Sequence, residues 1–192
     1  NDLRKKTVIT VAVSLILLLF LACFGFYWDS REKDWTTSTG STFVMDTFVD
    51  QKFSGKQSGL AVEKINELLK NFENRFSAYV SSSEISRINQ NAGLSYIQVS
   101  EETFDFLKTA KEYCKRSQGL FDITIGPLVD LWDITGENPR VPDEREIQSV
   151  LKRVNYEDLL LREEDHSVML RQEGQKLNLG GMAKGTAGAL AI

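Results

Sequence analysis

Residues 119–132 read GLFDITIGPLVDLW. A half-buried strand alternates apolar and polar residues, and an amphipathic helix repeats near 3.6 residues. This stretch does neither. It sets one carboxylate, Asp122, among Leu120, Phe121, Ile123 and Ile125, where an unpaired charge is costly to bury. Something must therefore hydrogen-bond Asp122. One candidate is the backbone of the turn at Gly126-Pro127, since Asp is a preferred turn residue. The other is a ligand. The segments on either side carry strands and helices that do not alternate regularly, which favours an α+β domain.

Upstream, residues 30–41 are polar and read as a linker, and residues 43–53 as a first strand. Ala61, Ile65, Leu68, Leu69, Phe72 and Phe76 recur at three- and four-residue steps, which predicts a helix with one apolar stripe. Residues 81–89 read as a short helix, with Ser81 and Glu84 at capping-box spacing. Ser100 caps the next helix; Glu101 and Glu102 in its first turn and Lys115 and Arg116 in its last suit the dipole. Phe104, Leu107, Ala110 and Cys114 form its buried stripe, and Gly119 lies just past its end. Downstream, Pro142 starts a helix with Ile147, Val150 and Leu151 inward. Residues 158–162 and 167–171 are strands around an acidic turn. Residues 176–179 form a further short strand, which runs into Gly180-Gly181 and a helix from about Ala183.

The net charge of −4 comes without a dense basic patch, which argues against a nucleic-acid partner. His166 is the single histidine, so neither a histidine metal cluster nor a Ser-His-Asp triad is available. A metal site would use oxygen ligands, which points to magnesium rather than zinc. Arg4-Lys5-Lys6 precede an apolar run at 8–28, close to the roughly 20 residues a spanning helix needs. The cationic flank puts the N-terminus on the cytoplasmic side and the rest outside. Residues 1–29 then form a signal-anchor, or a lipoprotein signal with Cys23 as the lipidated residue, or a leader cleaved to leave a soluble form. Cys114 reads as a small core residue. The boundaries are 1–29 for the signal, 30–41 for the linker and 42–192 for the globular part.

Gly180-Gly181 opens a helix. Glycine permits close backbone approach, the helix start offers N–H groups to an anion, and Lys184 adds a positive charge. This makes the corner a candidate phosphate or metal site.

Four segments, in order, resemble the ApbE-type flavin transferases, the FAD:protein FMN transferases. They are Met45-Asp46-Thr47; Phe76-Ser77-Ala78-Tyr79 followed by Ser83-Glu84-Ile85-Ser86-Arg87-Ile88-Asn89; the Gly119 stretch; and Leu177-Asn178-Leu179-Gly180-Gly181-Met182-Ala183-Lys184-Gly185. The likeness runs from about Thr42 to the last residue. It implies an α+β, T-fold-like domain that moves FMN from FAD to a Thr or Ser hydroxyl of a partner protein and releases AMP, with Mg2+. It implies FAD contacts at Met45, Tyr79, Leu120, Phe121, Asp122, Asn178 and Lys184, and a magnesium contact from the backbone carbonyl of Gly181. The implied acceptor is a flavoprotein subunit of a membrane redox complex, on the periplasmic face of the inner membrane.

Two positions depart from the family pattern. Asn178 stands where members often carry Asp, and Ala189 where an Asp often follows the Lys-Gly pair. Two alternatives stay open: hydrolysis of FAD to FMN and AMP at the same site with water as acceptor, and a membrane-tethered flavin-binding protein without chemistry, to which those losses give weight. Family members are also longer. The chain is therefore expected to be truncated at its C-terminus and inactive by itself, with the general base unassigned.

Overall fold

The computed structural model describes residues 2–33, 35–134 and 136–191; of residues 2–6, 8–12 and 29–33 it describes the backbone only. Helix α1 (Asp2–Lys33) leads into strand β1 (Thr36–Val44), which pairs with β2 (Thr47–Gly55) in a two-stranded sheet. The linker expected over 30–41 is thus mostly helix and strand. Its threonines and serines hid a strand, because β-branched Thr favours extended backbone and its hydroxyl can pair across a ladder. Thr37 Oγ1 lies 2.9 Å from Ser54 Oγ. The single strand expected over 43–53 is likewise two strands. Met45 and Asp46 form the turn between them, with φ of 52° and 56°, the left-handed pair that a two-residue hairpin turn requires.

The expected apolar span at 8–28 falls partly on side chains outside the described set. Side chains at 13–28 are exposed, and among the described residues no helix is long and apolar enough to cross a membrane.

Residues 1–42 with 48–65 form one compact unit, and residues 43–47 with 66–192 a second. Helix α2 (Ser58–Phe76) follows the predicted stripe. In the second unit its last turns bury Phe72 and Phe76, whose rings meet Phe106 edge-on with centroids 6.0 and 4.8 Å away. Helix α3 (Glu84–Gln90) is capped by Ser83, not Ser81: the Ser83 hydroxyl accepts from the Ser86 amide at 2.9 Å. Glu84 is therefore no capping-box partner, and its carboxylate turns to the next helix instead. Strand β3 (Ile97–Gln98) precedes helix α4 (Glu101–Arg116), where the Ser100 cap and the buried stripe of Phe104, Leu107, Ala110 and Cys114 stand as expected.

Helix α5 (Gly126–Trp132) carries Pro127 in its first turn. Helix α6 (Glu144–Leu151) begins one residue after its cap, because Asp143 and Glu146 close a capping box. Pro142 lies just outside it. No residue of α6 is buried, and Leu151 is exposed rather than inward. Strands β4 (Leu159–Arg162) and β5 (Ser167–Leu170) complete an antiparallel sheet in the order β3-β5-β4, with Ile97 opposite Val168 and Leu161 opposite the same residue on its other side. Helix α4 covers β4, and α3 lies on β5. Residues 176–179 are not a strand; Lys176 makes one parallel bridge to Ile125. Helix α7 (Gly180–Leu190) starts at Gly180, earlier than expected.

Candidate functional site

A cleft of about 730 Å³ opens in the second unit, within the roughly 300–1,000 Å³ typical of small-molecule sites. Phe72, Phe76 and Leu179 give it buried apolar walls. Its rim comes from separate parts of the chain: the Met45-Asp46 turn, Tyr79 after α2, Asp130 and Asp133 at α5, and Asn178, Gly180 and Lys184 at the start of α7.

The turn is held from below. Glu73 Oε1 accepts the Met45 amide at 2.8 Å, so a carboxylate steadies a non-glycine residue in left-handed backbone, a sparsely populated region. On the other side, Asn178 bridges two elements. Its Nδ2 donates to the Tyr79 hydroxyl at 3.3 Å, and its Oδ1 accepts the Gly180 amide at 2.9 Å. Burial first, and then the Asp130 carboxylate, push the Tyr79 phenol above its ordinary pKa. Tyr79 therefore stays a neutral phenol, and 60% of it remains exposed. Asp130 is paired with Lys176. The N-terminal end of α7 carries partial positive charge, and Lys184 stands one turn along the same helix. An aromatic face, an apolar wall and a cationic helix start share one cleft, and this set suits a ligand with a flat ring at one end and a phosphate at the other.

The ApbE family model matches residues 45–192. This chain belongs to the ApbE family. Among its curated relatives, the FAD:protein FMN transferase of Klebsiella pneumoniae is 33% identical over 145 residues, 76% of this chain and 46% of the relative. The enzyme of the same name from Treponema pallidum is 31% identical over 130 residues, 65% of this chain and 36% of the relative. The crystal structure of the ApbE protein from Thermotoga maritima superposes with a TM-score of 0.77 at 32% identity, covering 81% of this chain and 51% of that one. The chain spans between about a third and a half of the length of these relatives.

Within this ApbE fold the residues picked out from the sequence separate into two groups. Met45, Tyr79, Asn178 and Lys184 line the cleft together; Leu120, Phe121, Asp122 and Gly181 are not among its lining residues. Leu120 is 95% exposed. Asp122 finds its partners inside the fold. Its Oδ1 accepts from the Thr124 amide and hydroxyl, both at 2.7 Å, and its Oδ2 from the Tyr156 amide at 2.9 Å. The Thr124 hydroxyl accepts in turn from the Asn155 amide at 2.8 Å. The partners are thus the Thr124 amide and hydroxyl and the Tyr156 amide, at the start of a short 3-10 helix (Tyr156–Asp158), rather than the Gly126-Pro127 turn. Phe121 packs against the α7 corner: a Cβ on Gly181 would lie 3.0 Å from its ring.

The donors present do not form a magnesium cage. Among the described residues no group of three or more His, Cys, Asp or Glu could hold a metal. Asp130 is engaged by Lys176, Asp133 Oδ2 accepts the Asn138 amide at 2.9 Å, and Asn178 Oδ1 is taken by Gly180. Glu73, Asp130 and Asp133 went unread in the sequence, since acidic residues on helices are usually solvated and nothing in their spacing marks a cleft.

Proposed function

We propose that the full protein is an FAD:protein FMN transferase. The observation that carries this reading is the meeting of Met45, Tyr79, Asn178 and Lys184, from separate segments, on one cleft at the start of α7. The Tyr79 ring offers a face for the isoalloxazine, with the apolar wall at Phe72, Phe76 and Leu179 excluding water behind it. Lys184 and the α7 dipole draw the pyrophosphate toward the Gly180 corner. In the transfer, the acceptor's Thr or Ser oxygen forms a bond to the phosphorus of the FMN moiety, the bond from that phosphorus to the AMP oxygen breaks, and the hydroxyl proton passes to solvent or a base. Positioning and charge stabilisation supply most of the acceleration in such reactions.

Magnesium dependence rests on the family resemblance. The acceptor is a flavoprotein subunit of a membrane redox complex. The run at 8–28, flanked by Arg4-Lys5-Lys6, anchors the protein in the inner membrane with its ApbE part outside.

Incubating the full-length protein with FAD, magnesium and a threonine-bearing acceptor peptide tests the reading. Covalent flavin on the peptide is the expected result. Free FMN and AMP would instead make it a hydrolase, and unchanged bound FAD a carrier.

A further inference from the structure

The segment Ser83 to Asn89 travels with the flavin residues in sequence, yet none of it is assigned a role in the cleft. Its side chains face two backbone segments that carry cleft residues. The Ser83 hydroxyl donates to the Ser77 carbonyl at 2.5 Å, and the Ser86 hydroxyl to the Ala78 carbonyl at 3.0 Å. Tyr79 is the next residue. One turn further along α3, Asn89 meets Leu177 with both ends of its amide: Nδ2 donates to the Leu177 carbonyl at 3.0 Å, and Oδ1 accepts the Leu177 amide at 2.7 Å. Asn178 is the next residue.

The Leu177 contact has a physical reason. Residues 176–178 lie beside 123–126, and that side is satisfied by backbone: the Gly126 amide donates to the Lys176 carbonyl and the Asn178 amide to the Ile123 carbonyl. Leu177 is buried and its backbone groups face the other way, where no strand of the described residues pairs with them. Buried backbone groups need partners. The Asn89 amide, one donor and one acceptor in fixed geometry, stands in for the absent strand. Ile85 and Ile88 lock α3 in the core, each with no exposed surface, so the amide is held rigidly.

We infer that Asn89 is a positioning residue of the flavin cleft: by pairing with both backbone groups of Leu177, it sets where Asn178 meets the Tyr79 hydroxyl and the Gly180 amide. Helix α3 then works as a two-sided clamp, with Ser83 and Ser86 placing Tyr79 and Asn89 placing its partner. The inference rests on the flavin-transferase reading of the cleft.

The test is a double-mutant cycle on FAD affinity in the full-length protein, read by flavin fluorescence. Asn89→Asp keeps the acceptor and the volume but, ionised at neutral pH, cannot donate to the Leu177 carbonyl. It should weaken FAD binding about tenfold, the cost of one unmade buried bond. In an Asn178→Ala background the same change should have little further effect, because the residue it acts through is gone. Equal weakening in both backgrounds, or no weakening in either, overturns the inference. Hydrogen exchange in the unmutated protein gives a second arm that needs no variant: the Leu177 amide should exchange slowly, and fast exchange there also overturns it. Absence of FAD binding by the unmutated protein would sink the flavin reading itself, whereas slow exchange at Leu177 would still show the Asn89 pairing intact.

Discussion

Asp122 shows how one residue can suggest a site and serve a scaffold. Its two oxygens take three hydrogen bonds, from the Thr124 amide and hydroxyl and from the Tyr156 amide, so they tie the stretch at 119–126 to the loop before β4. Asp122→Ala removes all three at once. Two backbone amides then lose their acceptor, and the ligand-free protein should lose about 1–3 kcal/mol of stability. Urea unfolding measures this. Unchanged unfolding together with weakened FAD affinity would mean that the carboxylate serves the ligand after all. Phe121, one residue earlier, has a different task. It fills the space over Gly181, where a Cβ would lie 3.0 Å from its ring.

At the scale of elements, α3 and α4 are stapled at their N-termini by Glu84. Its carboxylate accepts the Ser100 amide at 2.9 Å, the Ser100 hydroxyl at 2.8 Å and the Thr103 hydroxyl. Burial alone would raise its pKa, but the bonds from Thr103 and Ser100 outweigh burial and hold it below the ordinary 4.5. A carboxyl depressed by folding stabilises the protein above its unfolded pKa, and that contribution is lost as pH falls through the folded value. Glu84→Gln should therefore be less stable than the unmutated protein at neutral pH. The gap should narrow as pH falls below about 4.5. Urea midpoints across that range check the sign, and a gap that widened in acid would contradict it.

Two outcomes belong to the whole molecule. If residues 8–28 anchor the protein as proposed, Cys23→Ser should leave it in the membrane fraction, and protease added outside spheroplasts should reach the region beyond Trp28. Release of the variant would favour lipidation at Cys23, and protection of that region would reverse the orientation. The second outcome concerns catalysis. The cleft is acidic, with Asp46, Glu73, Asp130 and Asp133 around it, yet these carboxylates do not converge on a cage. Residues 1–192 by themselves should therefore release no AMP from FAD. Magnesium-dependent AMP release by that piece would place the metal ligands among the residues described here.

Much of this protein was legible in its chain order. Apolar periodicity marked α2 and α4, because burial on one face of a helix leaves a 3.6-residue imprint on local sequence. Caps such as Ser100 were legible for the same reason: cap and helix lie within four residues of each other. The four ordered segments pointed to the ApbE family; of the residues they implied, Met45, Tyr79, Asn178 and Lys184 line one cleft, while Leu120, Phe121, Asp122 and Gly181 do not. Other features depended on residues far apart in the chain. Whether Asp122 met a turn or a ligand turned on Tyr156, 34 residues away. The role of Asn89 turned on Leu177, 88 residues away. Residues 176–179 have a strand's composition, yet beyond their bonds to 123–126 no strand of the described residues pairs with their other side, and Leu177 takes a side-chain amide instead. Hydrogen-bond partners distant in sequence leave no periodic trace, so folding alone brings them to the same place.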